Sequence, residues 1–397
     1  MNTTRRTVLG ALGASAVAAT TTGVAPAVPG AVGATSGRVP RELRPGGAFD
    51  EFLRVEAEQG RFSGSVLLTH HGRPVLARSH GMADRERAVP NGPDTVFALA
   101  SVTKLFTAVA VARLVQRGLV AYQATVGTYL DGLAAEVADR VTVHHLLTHT
   151  SGLGDPFQMP GFWDEAPGWS SVEEVMAGYL AFIRTDRPAF PPGARHAYSN
   201  AGYHLLGEIV AAVSGQPYHD HIREHVFEAA GMADSDFHTK PRWRTDRRIA
   251  HPYVRAESGE WEDVLEERLF VGTPAGDAFA SCGDLARFAH ALTGGELLDA
   301  GHTAITLGGK VPPAPAGGGG DGGPARTVFQ AYGPTAALER GQWVVGHGGG
   351  SRGISTSVDL FPDTGWVAVV LANHDVPLGT MPAVPAKARE LIVAVGT

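Results

Sequence analysis

Apolar and polar positions alternate near both ends of the chain, whereas the middle carries apolar residues at helical spacing. Residues 63–69 and 75–80 show the alternation that is typical of strands, with a Gly-containing turn between them. Toward the other end, residues 343–346, 353–361 and 366–373 also have strand patterns. Short connections of this kind are typical of hairpins, so the pattern predicts an antiparallel sheet.

Apolar positions at helical spacing predict helices at residues 49–59, 99–118, 202–214 and 382–395. The longer stretch 141–290 is mostly helical in pattern and is interrupted by Pro- and Gly-containing loops. Strands at both ends and helices in the middle favour an α/β (α+β) architecture. We therefore expect one antiparallel sheet built from both chain ends, flanked by helices, with an inserted and mostly helical domain.

This pattern divides the chain into segments with different expected roles. They are an export signal at 1–34, a linker at 35–47 and a folded domain at 48–397. Within the domain, the sheet part is expected at 48–100 and 325–397 and the mainly helical part at 101–300. A glycine-rich segment at 312–324 is predicted to be a flexible loop within that domain.

The first residues have the composition of an export signal. Arg5 and Arg6 precede a short, alanine-rich apolar run at 8–19, and cleavage sites of small residues end at Ala27 and Ala34. The run is shorter than the roughly 20 residues that a spanning helix needs. Paired arginines before such a run are typical of a twin-arginine signal. We expect a secreted or cell-envelope protein; a Sec-type signal or a membrane anchor is the alternative.

Composition excludes several classes of protein. Of the 397 residues, 44% are hydrophobic and 18% are charged, and the formal net charge is −7. The chain has no basic stripe, so we expect no nucleic acid as partner. It has no further apolar segment of spanning length, so we expect no stable membrane span in the mature form. The single cysteine, Cys282, rules out an internal disulfide framework and reads as a buried small residue.

Ser101 and Lys104 are the first candidate pair for catalysis. Positions i and i+3 share one face of a helix, which brings the serine hydroxyl beside the lysine amine. The helix N-terminus adds free N–H groups and positive potential, which suit a nucleophile that faces a developing oxyanion. Among the few lysines of the chain, only Lys104 has a serine three residues before it. Its small apolar neighbours indicate that it is not simply solvated, although an ordinary capped helix is the alternative.

Tyr198 and Asn200 lie where a Pro- and Gly-containing loop meets the predicted helix 202–214. A tyrosine at such a junction can direct its phenol into a cleft, where a nearby cation lowers its pKa and allows proton transfer to a leaving group. Asn200 can hold the lysine or a substrate amide. The structural alternative is that Ser199 or Asn200 caps the helix and Tyr198 packs beside it.

The segment from His347 to Gly350 ends the predicted strand that begins at Trp343. Glycines allow a substrate to approach the backbone closely, and Gly350 can donate its N–H to a substrate oxygen. A glycine-rich bulge between strands is the structural alternative.

Other chemistry-bearing residues lead to weaker hypotheses. His145 and His149 stand at i and i+4, but no carboxylate lies between them where a zinc protease needs one. We therefore predict no metal site and no organic cofactor. Phe157 and Trp163 belong to an aromatic stretch that forms either core or one wall of a cleft, and the orientation of Asp277 is left open.

The three motifs, in this order and at these separations, resemble those of a known family. Ser-x-x-Lys at 101–104, Tyr-Ser-Asn at 198–200 and His-Gly-Gly at 347–349 look like the serine β-lactamase and penicillin-binding superfamily. Within it, the pattern is most similar to the branch of class C β-lactamases, DD-peptidases and esterases. The segments 146–153 and 274–288 resemble further stretches typical of this family. The resemblance implies a β-lactamase/transpeptidase-like fold.

The resemblance also implies a role for each motif residue. Ser101 would be the acylated nucleophile, and Lys104 and Tyr198 would share the base and acid roles. The backbone N–H groups of Ser101 and Gly350 would form the oxyanion hole. Asn200 would orient the substrate or Lys104.

His347 stands where many members of the family carry a lysine that engages a substrate carboxylate. A histidine is only partly charged near neutral pH, which argues against recognition of anionic β-lactams but leaves acyl transfer itself unaffected. With Asn200, the residues His347, Gly349 and Gly350 form the predicted substrate and oxyanion set.

The leading hypothesis is an exported serine hydrolase that forms an acyl-enzyme on Ser101. Its partner would be a small-molecule or peptide acyl substrate, so that it acts as an esterase or as a DD-carboxypeptidase on esters, amides or D-amino-acid peptides. Acyl transfer to an amine or alcohol at the same site is one alternative. A non-catalytic penicillin-binding or sensing module is the other, and the oligomeric state is not predicted.

Overall fold

The computed structural model describes residues 39–313, 326–375 and 382–395. The predicted export signal at 1–34 and nearly all of the predicted glycine-rich loop at 312–324 lie outside the described residues. In the described part the strands are β1 (Gly64–His70), β2 (Arg73–His80), β3 (Met82–Asp84), β4 (Val89–Pro90), β5 (Phe97–Ala98), β6 (Tyr253–Arg255), β7 (Trp261–Asp263), β8 (Phe279–Ala280), β9 (Arg326–Gln330), β10 (Thr335–Glu339), β11 (Gln342–Ser351), β12 (Ile354–Phe361) and β13 (Trp366–Ala372).

The α-helices of the same part are mostly in the middle of the chain. They are α1 (Ala48–Glu58), α2 (Lys104–Gln116), α3 (Ala135–Ala138), α4 (Val143–Leu147), α5 (Phe162–Glu165), α6 (Val172–Thr185), α7 (Asn200–Ser214), α8 (Tyr218–Ile222), α9 (Lys240–Thr245), α10 (Cys282–Gly294), α11 (Ala300–Leu307) and α12 (Ala383–Val395).

One large sheet joins the two ends of the chain, as the hairpin spacing predicts. Its strand order is β2-β1-β13-β12-β11-β10-β9, and every neighbouring pair is antiparallel. Strand β13 lies between β1 and β12, so the last strand of the chain connects its first hairpin to the remainder of the sheet.

Alternating side chains place the sheet between two apolar layers. Val66 and Val370 face outward, where they pack with Phe49 of α1 and Ile392 of α12. Leu67 faces the opposite side and belongs to the larger core that the central helices form. Successive side chains point to opposite faces, and both faces are covered, so the central strands are apolar at nearly every position.

The central helices surround α2, which is buried on nearly all sides. Phe106 on α2 makes edge-to-face contacts with Phe227 and with Phe288 of α10, at centroid distances of 5.0 and 4.9 Å. Cys282 begins α10 and is buried, 4% exposed, as the sequence predicts. Within the described ranges, no helix combines the length and the apolar character needed to cross a membrane.

Three local predictions differ from the structure. The helix predicted at 99–118 begins with a 3-10 turn, Ala100–Thr103, because the Thr103 hydroxyl donates to the Ala100 carbonyl at 2.8 Å and tightens this turn. The strand that carries His347 continues to Ser351, paired with β12, instead of ending there. The predicted linker is not free over 39–47, because Leu43 is fully buried in the outer apolar layer.

Candidate active site

A strained turn between β5 and α2 presents Ser101. The Leu99 carbonyl accepts a hydrogen bond from Thr356 Oγ1 of β12 at 2.8 Å, which ties the turn to the sheet. The Ala100 carbonyl accepts from the Asp277 N–H at 3.1 Å. Ala100 has φ +43°, a value that residues other than glycine rarely adopt. Contacts on both sides of the turn therefore fix the direction of the Ser101 hydroxyl.

Lys104 is the first residue of α2 and is fully buried beside Ser101. Its Nζ donates to Ser101 Oγ at 3.2 Å and to Asn200 Oδ1 at 2.8 Å. A third hydrogen bond reaches the Ala275 carbonyl. The contact with Ser101 follows from the i, i+3 spacing, whereas the other two link α2 to distant parts of the chain.

The environment of Lys104 favours the neutral amine. Burial lowers its pKa from the ordinary value of 10.5 to about 7. The carboxylates of Asp155 and Asp277 act in the opposite direction and keep the pKa from falling further. A substantial fraction of Lys104 is therefore unprotonated near neutral pH.

Asp155 fixes the orientation of the Asn200 amide. Asn200 Nδ2 donates to Asp155 Oδ2 at 3.1 Å, so the amide carbonyl faces Lys104. Burial is the main influence on Asp155 and raises the pKa of its carboxyl group. The neighbouring Ser199 caps α7 through the Gly202 N–H at 3.0 Å. Both alternatives predicted for this motif are therefore observed: Ser199 caps the helix, and Asn200 contacts Lys104.

Tyr198 approaches the same serine from another side. Its hydroxyl donates to Ser101 Oγ at 2.8 Å, although 47% of the residue is exposed. Burial of the inward-facing hydroxyl raises the pKa of Tyr198 above its ordinary value of 10.0. The predicted lowering of this pKa is therefore wrong, because burial is the dominant influence on the phenol. Lys104 Nζ lies over the ring, 4.9 Å from its centroid.

The glycine segment of β11 contributes unequally to the site. Gly350 lines the cleft with Ser101. Gly349 instead packs against the turn, where an added Cβ would lie 2.2 Å from the Leu99 carbonyl oxygen. His347 lines a larger adjoining cavity of about 1190 Å³, which shares Gly350 and Ser351 with the cleft.

His347 is neutral at pH 7, which corrects the expectation of a partial charge. Burial and the charge of Lys104 lower the pKa of His347 to about 4, and its Nδ1 contacts the Gly348 carbonyl. It supplies no cation for a substrate carboxylate.

The cleft beside Ser101 has a volume of about 200 Å³. Phe157 forms one wall and also packs against the main core, so both predicted roles apply to it. Trp163 stacks on it at a centroid distance of 5.5 Å and is 49% exposed. The charged side chains along the lining are both acidic, Asp155 and Asp277. The lining residues are Ala100, Ser101, Asp155, Phe157, Asn200, Leu269, Gly272, Thr273, Ala275, Gly276, Asp277, Gly350 and Ser351.

The structure thus brings together five of the predicted site residues, Ser101, Lys104, Tyr198, Asn200 and Gly350. Sequence reasoning missed Asp155, which carries no local signal beyond its position shortly after the segment 146–153. Its contact with Asn200 spans 45 residues of sequence, so only the folded chain reveals it.

An antiparallel sheet formed by both chain ends, with a serine, a lysine and a tyrosine converging at its margin, defines the β-lactamase and penicillin-binding class of proteins. A model of the Beta-lactamase family matches residues 46–391. The chain belongs to this family.

Individual relatives differ in what they are named for. Esterase EstB of Burkholderia gladioli is 34% identical over 246 residues, which covers 58% of this chain and 59% of that protein, so the match spans less than two thirds of it. A penicillin binding protein from Bacillus halodurans has TM-score 0.75 and 28% identity, covering 86% of this chain and 98% of that one. D-amino acid amidase from Ochrobactrum anthropi SV3 has TM-score 0.72 and 25% identity, covering 88% and 97%.

Proposed function

We propose that this chain is a serine hydrolase that forms an acyl-enzyme on Ser101 and cleaves esters, amides or D-amino-acid peptides. One observation carries the proposal: Ser101 Oγ contacts both Lys104 Nζ, at 3.2 Å, and the Tyr198 hydroxyl, at 2.8 Å. A nucleophile within hydrogen-bond distance of a base and an acid is the arrangement that covalent acyl transfer requires. The similarity to an esterase and to an amidase supports the same class of reaction.

The contacts of Lys104 direct its lone pair toward the nucleophile. A neutral amine has two N–H donors. The Asn200 carbonyl oxygen and the Ala275 carbonyl oxygen can only accept, so they take these two donors. The contact with Ser101 Oγ is a donated hydrogen bond only in the ammonium form, which has a third N–H. In the neutral amine the lone pair takes that place and accepts from the Ser101 hydroxyl, so Lys104 is the base for the attack.

Tyr198 acts as the acid in the proposed sequence. As Ser101 Oγ bonds to the carbonyl carbon, its proton passes to Lys104, and the N–H groups of Ser101 and Gly350 stabilise the oxyanion. The leaving group then takes the proton of Tyr198, whose raised pKa keeps the phenol protonated until that step. The Lys104 ammonium returns a proton to Tyr198, and water hydrolyses the acyl-enzyme and restores Ser101.

The cleft favours small and uncharged acyl groups. The space next to Ser101, where the acyl group would lie, is about 200 Å³, below the roughly 300–1,000 Å³ of sites for drug-sized ligands. The larger cavity that shares Gly350 and Ser351 leaves room for the leaving group. The charged side chains of the described cleft lining are carboxylates, and His347 is neutral. We therefore propose neutral short-chain esters or amides as better substrates than anionic penicillins.

The test combines labelling with turnover. A fluorophosphonate probe should form one adduct, located at Ser101 by mass spectrometry, and Ser101→Ala should abolish both the adduct and nitrophenyl acetate turnover. Ser235→Ala is the matched control, because this hydroxyl binds Asp284 away from the cleft. Absence of an adduct on Ser101 at any probe concentration would instead support a binding module. Nitrophenyl octanoate or benzylpenicillin turned over faster than nitrophenyl acetate would overturn the substrate proposal.

We also propose that residues 1–34 direct export of the folded chain. The support is compositional: Arg5 and Arg6 precede the apolar run 8–19. Fused to a reporter enzyme, this segment should deliver the reporter outside the cytoplasm. Replacement of both arginines by lysine should retain the reporter inside, and undiminished export of that variant would exclude the twin-arginine route.

A further inference from the structure

His149 contacts the Tyr198 segment at three points. Its carbonyl accepts a hydrogen bond from the Ala197 N–H at 2.8 Å. Its Nδ1 accepts from the Ser199 N–H at 3.1 Å. Its imidazole stacks on the Tyr198 ring at a centroid distance of 4.4 Å and an interplanar angle of 27°. One residue therefore accepts from the N–H groups of both neighbours of Tyr198 and covers one face of the ring.

His149 is itself fixed in an uncommon conformation. It follows the end of α4, where a left-handed residue is usually glycine, and it has φ +56°. It is fully buried, and its ring also lies 5.0 Å from that of Tyr203. A residue with a side chain is strained in this backbone conformation, whereas glycine is not. Contacts made by the His149 side chain must therefore compensate for the strain.

The hydrogen bond to Ser199 requires a neutral imidazole. Nδ1 can accept only while it carries no proton, so the ring proton is on Nε2. Burial is the main cause that holds the pKa of His149 well below its ordinary value of 6.5, and the charge of Lys104 acts in the same direction. The acceptor on Nδ1 is therefore present under ordinary conditions.

We infer that His149 is a positioning residue that keeps the Tyr198 hydroxyl within hydrogen-bond distance of Ser101. The inference rests on the proposed role of Tyr198 as the acid. The Tyr198 ring is half exposed, so little else on its solvent side restrains rotation of the side chain. A displacement of about 1 Å at a reacting group can cost roughly a hundredfold in rate.

Two substitutions separate the contacts of His149. In His149→Phe an aromatic ring remains for stacking, but the Ser199 N–H loses its acceptor. In His149→Asn an oxygen takes the place of Nδ1 and the left-handed backbone is well tolerated, but the stacking is lost. His221→Asn is the matched control, because His221 is also buried, 1% exposed, and its Nδ1 contacts Gln216 instead.

The readout is a double-mutant cycle with Tyr198→Phe on nitrophenyl acetate. We expect His149→Phe to lower kcat about tenfold to a hundredfold with little change in KM, and His149→Asn to recover part of that loss. In the Tyr198→Phe background both substitutions should have little further effect, since the group they position is absent. His221→Asn should leave kcat unchanged in either background.

The outcomes distinguish the two proposals. Equal losses from His149→Phe with and without the Tyr198 hydroxyl would overturn the positioning role and leave the function of Tyr198 intact. A wild-type rate for Tyr198→Phe alone would overturn the acid role and the inference with it. Fluorophosphonate labelling of Ser101 and thermal unfolding confirm that each variant is folded, and a folded His149→Phe variant with wild-type kcat would also refute the inference.

Discussion

The protonation state of the buried Lys104 amine makes the rate of the proposed reaction depend on the pH of the solution. Because the neutral amine is the base, kcat/KM for a neutral ester should rise as pH rises through about 7 and level off above that value. Below this pH the ammonium predominates and has no lone pair. The pH–rate profile of the wild-type chain checks this, and a profile that is flat across neutral pH would contradict it.

Asp155 allows the same prediction to be tested by a charge change. Its carboxylate raises the pKa of Lys104, so removal of the charge in Asp155→Asn should lower that pKa further and move the rise of kcat/KM to lower pH. The new amide oxygen can still accept from Asn200. Asp164→Asn, at an exposed position on helix α5, should leave the pH–rate profile unchanged. A shift to higher pH in Asp155→Asn would refute the electrostatic argument.

At this scale the sequence predicts contacts within one motif better than contacts between motifs. The Ser101–Lys104 contact follows from helical spacing. The junction of a loop with a predicted helix singled out Tyr198 and Asn200, and the family resemblance added their roles. Asp155 and His149 act through partners about 45 to 50 residues away, which no local pattern encodes. The direction of the Tyr198 pKa shift was predicted wrongly because burial of the phenol, which only the folded chain reveals, is its dominant cause.

The glycines of β11 differ in how much space a Cβ atom would have at each position. A Cβ at Gly349 would meet the Leu99 carbonyl oxygen at 2.2 Å and Thr356 Oγ1 at 2.3 Å, whereas a Cβ at Gly348 would meet only the Thr356 carbonyl oxygen at 3.8 Å. Gly349→Ala should therefore push the turn that carries Ser101 away from the sheet. We expect a loss of roughly 1–3 kcal/mol in the free energy of unfolding, as for other overpacked sites.

Gly348→Ala is the natural comparison for this substitution. It lies on the same strand and has the same effect on backbone entropy, but its new methyl group has room. Thermal unfolding and fluorophosphonate labelling of both variants measure the difference. Equal stability and equal labelling would show that the turn is not held by close packing against β11.

Element boundaries near the site were the part that the sequence predicted least well. Apolar spacing gave a helix from residue 99, but it does not distinguish an α-helix from the 3-10 turn that Thr103 tightens around Ala100. Glycine at 348–350 suggested the end of a strand, yet pairing with β12 continues to Ser351. A local side-chain hydrogen bond explains the first difference, and pairing with the neighbouring strand explains the second.

Across the whole molecule, the sheet depends on the last strand of the chain. Strand β13 pairs with β1 on one side and β12 on the other, and it carries none of the proposed site residues. A variant that ends at Gly365 keeps every one of those residues but removes the centre of the sheet. We expect it to lose cooperative unfolding and fluorophosphonate labelling at Ser101. Labelling at the wild-type rate would show that the site forms without strand β13.

The arrangement of strands at both ends and helices between was predictable from hairpin spacing alone. The order in which β13 inserts between β1 and β12 was not, because adjacent strands with short turns do not specify which distant strand they join. That order is decided by burial of both sheet faces, a property of the assembled layers.

The single cysteine gives this chain a native reporter of its own opening. Cys282 is buried where α10 adjoins the sheet, and burial raises the pKa of its thiol well above the ordinary value. The thiolate is the form that attacks alkylating reagents, so the intact molecule should resist them. The rate of maleimide labelling at Cys282 would then measure how often α10 separates from the sheet, and no engineered cysteine is needed.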